Sequence, residues 1–188
     1  MEAAFAAPHF TKRPKLGETL RFFGILSGAE VDGALERQAN DGGRLGTCLL
    51  DSGIVDEATL LAALGAQLKV ETADAATLAA VPLSNAALLP ARAALVASAI
   101  PLARHERTLE VAMLDPDSMP LLDELAAVSR LTIVPRLALE VRLAECLERL
   151  YGVPISERLL RTRERIDRRQ ARRAGEAADG PPESPDAD

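Results

Sequence analysis

The chain has 188 residues, a net charge of −6, and aromatics at only 3% with no Trp. That length allows at most two small domains, with a core built from Leu, Ala, Val and Ile, and the acidic balance argues against a whole-protein nucleic-acid binder. Cys48 and Cys146 are too few and too far apart for a disulfide framework or a metal knuckle, and no apolar run approaches the ~20 residues that span a bilayer.

Residues 1–14 read as a short flexible lead, broken by Pro8 and Pro14, without the positive region of a secretory signal. A cytoplasmic location is therefore expected. From Lys15 the chain repeats itself. Lys15 to Gln38 and Arg44 to Gln67 are 24-residue segments that align without a gap at an offset of 29. The matched pairs include Lys15/Arg44, Leu16/Leu45, Gly17/Gly46, Gly24/Gly53, Val31/Leu60, Leu35/Leu64 and Gln38/Gln67. Each copy reads as helix, glycine turn, helix. Leu16 to Phe23 suits a short helix, with Gly24 just past its end, where a positive φ is often required. Ser27 with Glu30 three residues on is a capping-box pattern, and Val31 and Leu35 share one face of the second helix. In the second copy Gly53 closes the first helix, Asp56 is the expected N-cap, and Leu60 and Leu64 make the face. Asn40-Asp41-Gly42-Gly43 is the turn between copies.

From about residue 80 the period changes. A short helix ends at Leu88-Leu89-Pro90. Ala99 to Ala103 and Leu109 to Leu114 read as strands around the polar turn His105-Glu106-Arg107-Thr108. Met119 to Val128 follows as a helix, Leu131 to Pro135 as a strand, and Leu137 to Tyr151 as a closing helix. Beyond Pro154 the composition turns to charge. Arg158 to Arg173 holds eight arginines, and Gly175 to Asp188 is acidic and rich in Pro, Ala and Gly. The basic stretch is expected as a solvated helix at most, and the acidic end as disordered. The fold class is thus α+β: a four-helix subdomain of two tandem helix-turn-helix repeats at 15–75, a small α/β subdomain at 76–153, and a charged tail at 154–188.

Catalytic signals are missing from this reading. The three lysines, Lys12, Lys15 and Lys69, lie outside any phosphate-loop pattern. His9 and His105 have no spacing to a Cys, Ser or acid that would suggest a nucleophile or a metal site. A binding protein is expected rather than an enzyme. Leucines recur in any doubled helix pair, and the glycines at 24 and 53 follow from helix termination. A cation and a terminal glutamine recurring in register are harder to obtain from packing, and a cation at a helix start opposes the helix dipole. Arg can pair bidentately with guanine O6 and N7 or with phosphate. Gln offers a donor and an acceptor to a base edge, and leucines can cover a base face.

On these residues the chain resembles the MshE N-terminal domain family, which also caps type II secretion and type IV pilus assembly ATPases. The family motif runs Arg-Leu-Gly, spaced hydrophobics, Gly, two hydrophobics, Leu, Leu and a final Gln. Two copies are separated by five residues, here Ala39 to Gly43. The stretch from Ala99 through Asp115-Pro116 is similar to the family's second subdomain. The resemblance implies binding of cyclic di-GMP and no further cofactor. It implies ligand contacts from Lys15, Leu16, Gly17, Leu35 and Gln38 in the first copy and Arg44, Leu45, Gly46, Leu60, Leu64 and Gln67 in the second. Asp115 would reach a guanine edge, with Arg13 as an added cation. The first copy departs from the motif at Lys15, where Arg is preferred, at Arg21, where a hydrophobic is expected, and at Val31, where Leu is usual. Family members commonly continue into an ATPase, so a chain ending in a charged tail implies a free-standing sensor that signals to an effector protein such as a secretion or pilus component. The departures keep open a second reading, an interaction domain of such a system that has lost nucleotide binding.

Overall fold

In the second repeat, as in the first, the chain turns on one glycine. The structure, a computed structural model, describes residues 14–178; most of the lead, Arg13 included, and the end beyond residue 178 lie outside the described residues. The repeats form α1 (Leu16–Phe22), α2 (Gly28–Asp41), α3 (Leu45–Ser52) and α4 (Glu57–Leu68). Gly24 and Gly53 have φ of 67° and 73°, the left-handed backbone that lets each short helix stop and reverse. Ser27 accepts from the Glu30 N–H at 3.3 Å while Glu30 accepts from the Ser27 N–H at 2.8 Å, the expected reciprocal cap. Asp56 accepts from the Thr59 N–H at 2.9 Å. Leu20, Ala34, Leu49, Leu60 and Ala63 are fully enclosed between these helices.

Asp56 carries a testable consequence. Burial alone would raise its pKa, but the Thr59 N–H and hydroxyl and the Arg173 guanidinium outweigh this and hold it below the usual carboxylate value. A carboxyl depressed in the folded state stabilises above its unfolded pKa and loses that contribution as pH falls through the folded value. Asp56→Ala should therefore cost about 1 kcal/mol near neutrality. The deficit should shrink as the pH drops below about 4 and the wild-type carboxyl protonates. Thermal unfolding at pH 7 and at pH 3 compares the two.

The second part runs α5 (Ala75–Ala79), a 3₁₀ turn (Leu83–Leu88), α6 (Ala91–Val96), β1 (Ala99–His105), β2 (Thr108–Met113), α7 (Met119–Ser129), β3 (Thr132–Leu137) and α8 (Glu140–Tyr151). The sheet order is β1-β2-β3, with β1 antiparallel to β2 across the predicted polar turn and β2 parallel to β3 across α7. Leu109, Val111 and Met113 of β2 pack with Leu125 of α7, whereas Ala112 packs with Ile100, Leu143 and Leu147. The closing helix starts later than the predicted Leu137, because Leu137 is still paired in β3. Leu137 donates to the Glu71 carbonyl and accepts from the Ala73 N–H, both at 2.8 Å, so the strand end is stitched to the segment leaving α4. The sheet is thereby fixed against the repeats.

The tail expectation is corrected over much of its length. Glu157–Ala178 forms a helix, α9, that packs on the repeats instead of standing free in solvent. Its apolar residues are few but correctly spaced: Leu159 and Ile166, with Ile155 just ahead of the helix, join the same core as Leu49, Leu50 and Val55. The arginines do the rest by bonding to carbonyls and carboxylates of the repeats. Arg169 donates to the carbonyls of Leu50 and Asp51 in the last turn of α3, where a helix runs short of intrahelical donors, although Leu50 also accepts from the Gly53 N–H. Arg142 of α8, only 11% exposed, meets Glu57, Glu145 and Asp167 at 2.8–2.9 Å. Burial opposes its charge, but those carboxylates more than offset the effect and raise its pKa. Gln170 of α9 donates to the same Glu57 at 2.8 Å.

Candidate functional site

The two repeats face each other with an approximate twofold relation. A Cβ added at Gly17 would stand 3.9 Å from Leu45 Cδ2, and one at Gly46 would stand 3.7 Å from Leu16 Cδ2. Gln38 donates to the carbonyl of Gly43, just before Arg44, at 2.9 Å. Gln67 donates to the carbonyl of Pro14, just before Lys15, at 2.6 Å. Each closing glutamine therefore straps the entrance of the other copy. Registered glutamines have a backbone role that the spacing alone does not disclose.

Gly17 also has a packing reason, since a Cβ there would come within 2.7 Å of Val31 Cγ1, a stiff branched side chain. Gly17→Ala should lower stability by about 1–3 kcal/mol through overpacking, which chemical denaturation can measure. The equivalent Cβ at Gly46 would meet Leu60 Cδ2 at 3.3 Å.

Six of the predicted site residues converge. Arg44, Gly46, Leu60, Leu64, Gln67 and Asp115 line a cleft of about 360 Å³ between the second repeat and the α/β layer. Arg44 stands at the start of α3 with its guanidinium projecting across the cleft. Its two terminal nitrogens donate to both carboxylate oxygens of Asp115, at 2.9 and 2.6 Å. This answers the puzzle of a cation at a helix start: its counter-charge comes from the other subdomain. The side chains are 50% and 42% exposed, so the pair stabilises by at most about 1 kcal/mol. It holds the guanidinium extended without locking it. Leu60 and Leu64 supply an apolar wall, and Gln67 Oε1 is buried without a hydrogen-bond partner, its amide nitrogen being taken by Pro14. A buried orphan acceptor favours a ligand that brings a donor.

The remaining predicted residues stand elsewhere. Lys15 is exposed at the start of α1, where its backbone N–H donates to Glu18 at 2.8 Å. Leu35 is 45% exposed on the first repeat. Leu16 and Leu45 pack against the helical core, and neither they nor Gly17 and Gln38 border the cleft. Sequence reasoning missed Thr47, Leu114 and Glu140, which do line it. Thr47 donates to Glu140, a contact across 93 residues that no local pattern could announce.

The MshEN domain profile matches residues 68–157, the span from the end of α4 through the α/β layer. Among solved structures, one described as MshE with cdg (cyclic di-GMP) is 32% identical and superposes with a TM-score of 0.58, covering 74% of this chain and 100% of that one. The N-terminal domain of XpsE, 20% identical with a TM-score of 0.52 over 73% of this chain and 94% of that one, shares the fold. Type IV pilus assembly ATPase PilB of Myxococcus xanthus (strain DK1622) is 30% identical over 138 residues, 73% of this chain. The chain spans about a quarter of that relative's length (24%). Among the described residues, no helix is long and apolar enough to cross a membrane.

Proposed function

The chain belongs to the MshEN domain family, and from that premise we propose that it is a cyclic di-GMP sensor that acts by binding and relays the result to a partner protein. The observation that carries this reading is the cleft itself, where a planar guanidinium, an apolar wall and an unpaired buried acceptor converge. Guanine offers matching chemistry. Its O6 and N7 suit the fork of Arg44, and its N–H groups suit Asp115 and Gln67 Oε1 as acceptors. In this reading Arg44 turns from Asp115 to the base as ligand enters. The second guanosine and the phosphates fall to the first repeat, where Lys15, Leu35 and Gln38 occupy the equivalent positions. Similarity to MshE with cdg supports the choice of ligand.

A cytoplasmic location and an output toward a pilus or secretion component belong to the same reading. The exposure of Phe22 (59%) and Leu35 (45%) on the first repeat favours a second one, docking without nucleotide. Calorimetric titration with cyclic di-GMP separates them. A sensor gives saturable heat, and at 100 times its Kd the ligand should stabilise the fold by about 2.7 kcal/mol. No heat and no thermal shift would reject the sensor in favour of the docking module.

A further inference from the structure

On the other side of α3 lies a second concave site, of about 380 Å³, between α2, α3 and α9. Its charge is unusual for so small a space: Arg37, Arg158, Arg161 and Arg165 line it against two carboxylates, Asp41 and Asp51. The Cys48 thiol, also in the lining, has its pKa pushed up by burial and so adds no negative charge. Two of the four guanidinium groups are committed. Arg165 pairs with Asp51, and Arg158 donates to Glu140 at 3.2 Å.

The other two are not held in this way. Arg161 approaches Glu157 only to 3.8 Å, beyond hydrogen-bond distance. Arg37 keeps its Nε buried without a hydrogen-bond partner. Among the described residues, the terminal nitrogens of these two groups are held by no carboxylate within hydrogen-bond distance, and a guanidinium so placed pairs strongly with an incoming oxyanion. Arginine in place of lysine matters here, since its planar fork matches phosphate oxygens bidentately.

We propose that this groove is a second ligand site, taking a compact phosphate-bearing anion through Arg37 and Arg161. Its volume falls in the range of small-molecule sites. No aromatic side chain is among its lining residues to stack a base, which argues against a single-stranded nucleic acid. The groove is distinct from the cleft of Arg44, although Thr47 belongs to both walls.

The test is titration of the full chain with pyrophosphate, in wild type, in the double variant Arg37→Gln with Arg161→Gln, and in Arg44→Ala. Saturable binding is expected in wild type and in Arg44→Ala, weakened about tenfold or more in the double variant, whose melting curve verifies folding. Absence of saturable binding, equal binding in the double variant, or loss in Arg44→Ala would each overturn the proposal. Sedimentation with phosphatidylglycerol vesicles then distinguishes the sources of phosphate. Vesicle binding that the double variant abolishes assigns a lipid headgroup, and no vesicle binding beside a positive pyrophosphate result assigns a soluble ligand.

Discussion

Arg44→Ala should lower affinity for cyclic di-GMP by about 10- to 100-fold, and Lys15→Ala should cost distinctly less. A charge-assisted hydrogen bond is worth about 1.5–3 kcal/mol, and each 1.4 kcal/mol is a factor of about ten in Kd. Two circumstances set Arg44 apart from Lys15. Its guanidinium already reaches over the cleft on Asp115, so turning it to a base orders less side chain than fixing the exposed Lys15. Its removal also leaves the Asp115 carboxylate without its counter-charge, facing a ligand that carries two phosphates. Lys15 is exposed and lacks the fork. Arg44→Lys restores the charge but not the planar pair, and should recover only part of the loss. Calorimetry on the three variants measures all of this. Equal losses at positions 15 and 44 would mean that the two halves contribute alike.

Much of the lining of the candidate cleft was readable because the repeat encodes its residue types twice. The offset placed Arg44, Gly46, Leu60, Leu64 and Gln67 at positions equivalent to their first-copy counterparts, and the second copy, which keeps the full motif, contributes to the cleft. The first copy carries the same positions without a covering α/β layer, which is why Lys15 and Leu35 remain at the surface. The same regularity concealed the glutamine straps. A registered polar residue signals that something polar recurs, and a backbone carbonyl satisfies that as well as a ligand does. Secondary structure was legible where local chemistry decides it, as at Ser27, Gly53 and the turn between β1 and β2. It was not legible in α5 and α6, which are short alanine-rich turns set by what surrounds them. The docking of α9 was hidden for a different reason. Composition marks an arginine-rich stretch as solvated, yet Arg169 and Arg165 reach partners more than 110 residues away in sequence.

Loss of that docked helix should be the most severe change for the fold. Truncation after Tyr151 removes Ile155, Leu159 and Ile166 from the core shared by the repeats. It also strips Arg169 from the α3 carbonyls and Asp167 and Gln170 from the Arg142–Glu57 pair. Removing even one such buried aliphatic side chain down to Ala typically costs about 2–5 kcal/mol, against a total stability of about 5–15 kcal/mol for a domain. The truncated chain should therefore be largely unfolded, and its failure to bind cyclic di-GMP would say nothing about the cleft. Ile166→Ala makes the gentler comparison. Ile166 is 5% exposed and does not border the cleft of Arg44. The substitution should cost about 2–4 kcal/mol and lower Tm by about 5–15 °C for a chain of this size, while leaving calorimetric affinity for cyclic di-GMP unchanged below the transition. A Tm within 2 °C of wild type would mean that α9 is not held on the repeats in solution. A normal Tm drop accompanied by lost affinity would instead tie the helix to the geometry of the cleft, and the route available for that is Thr47 to Glu140 to Arg158.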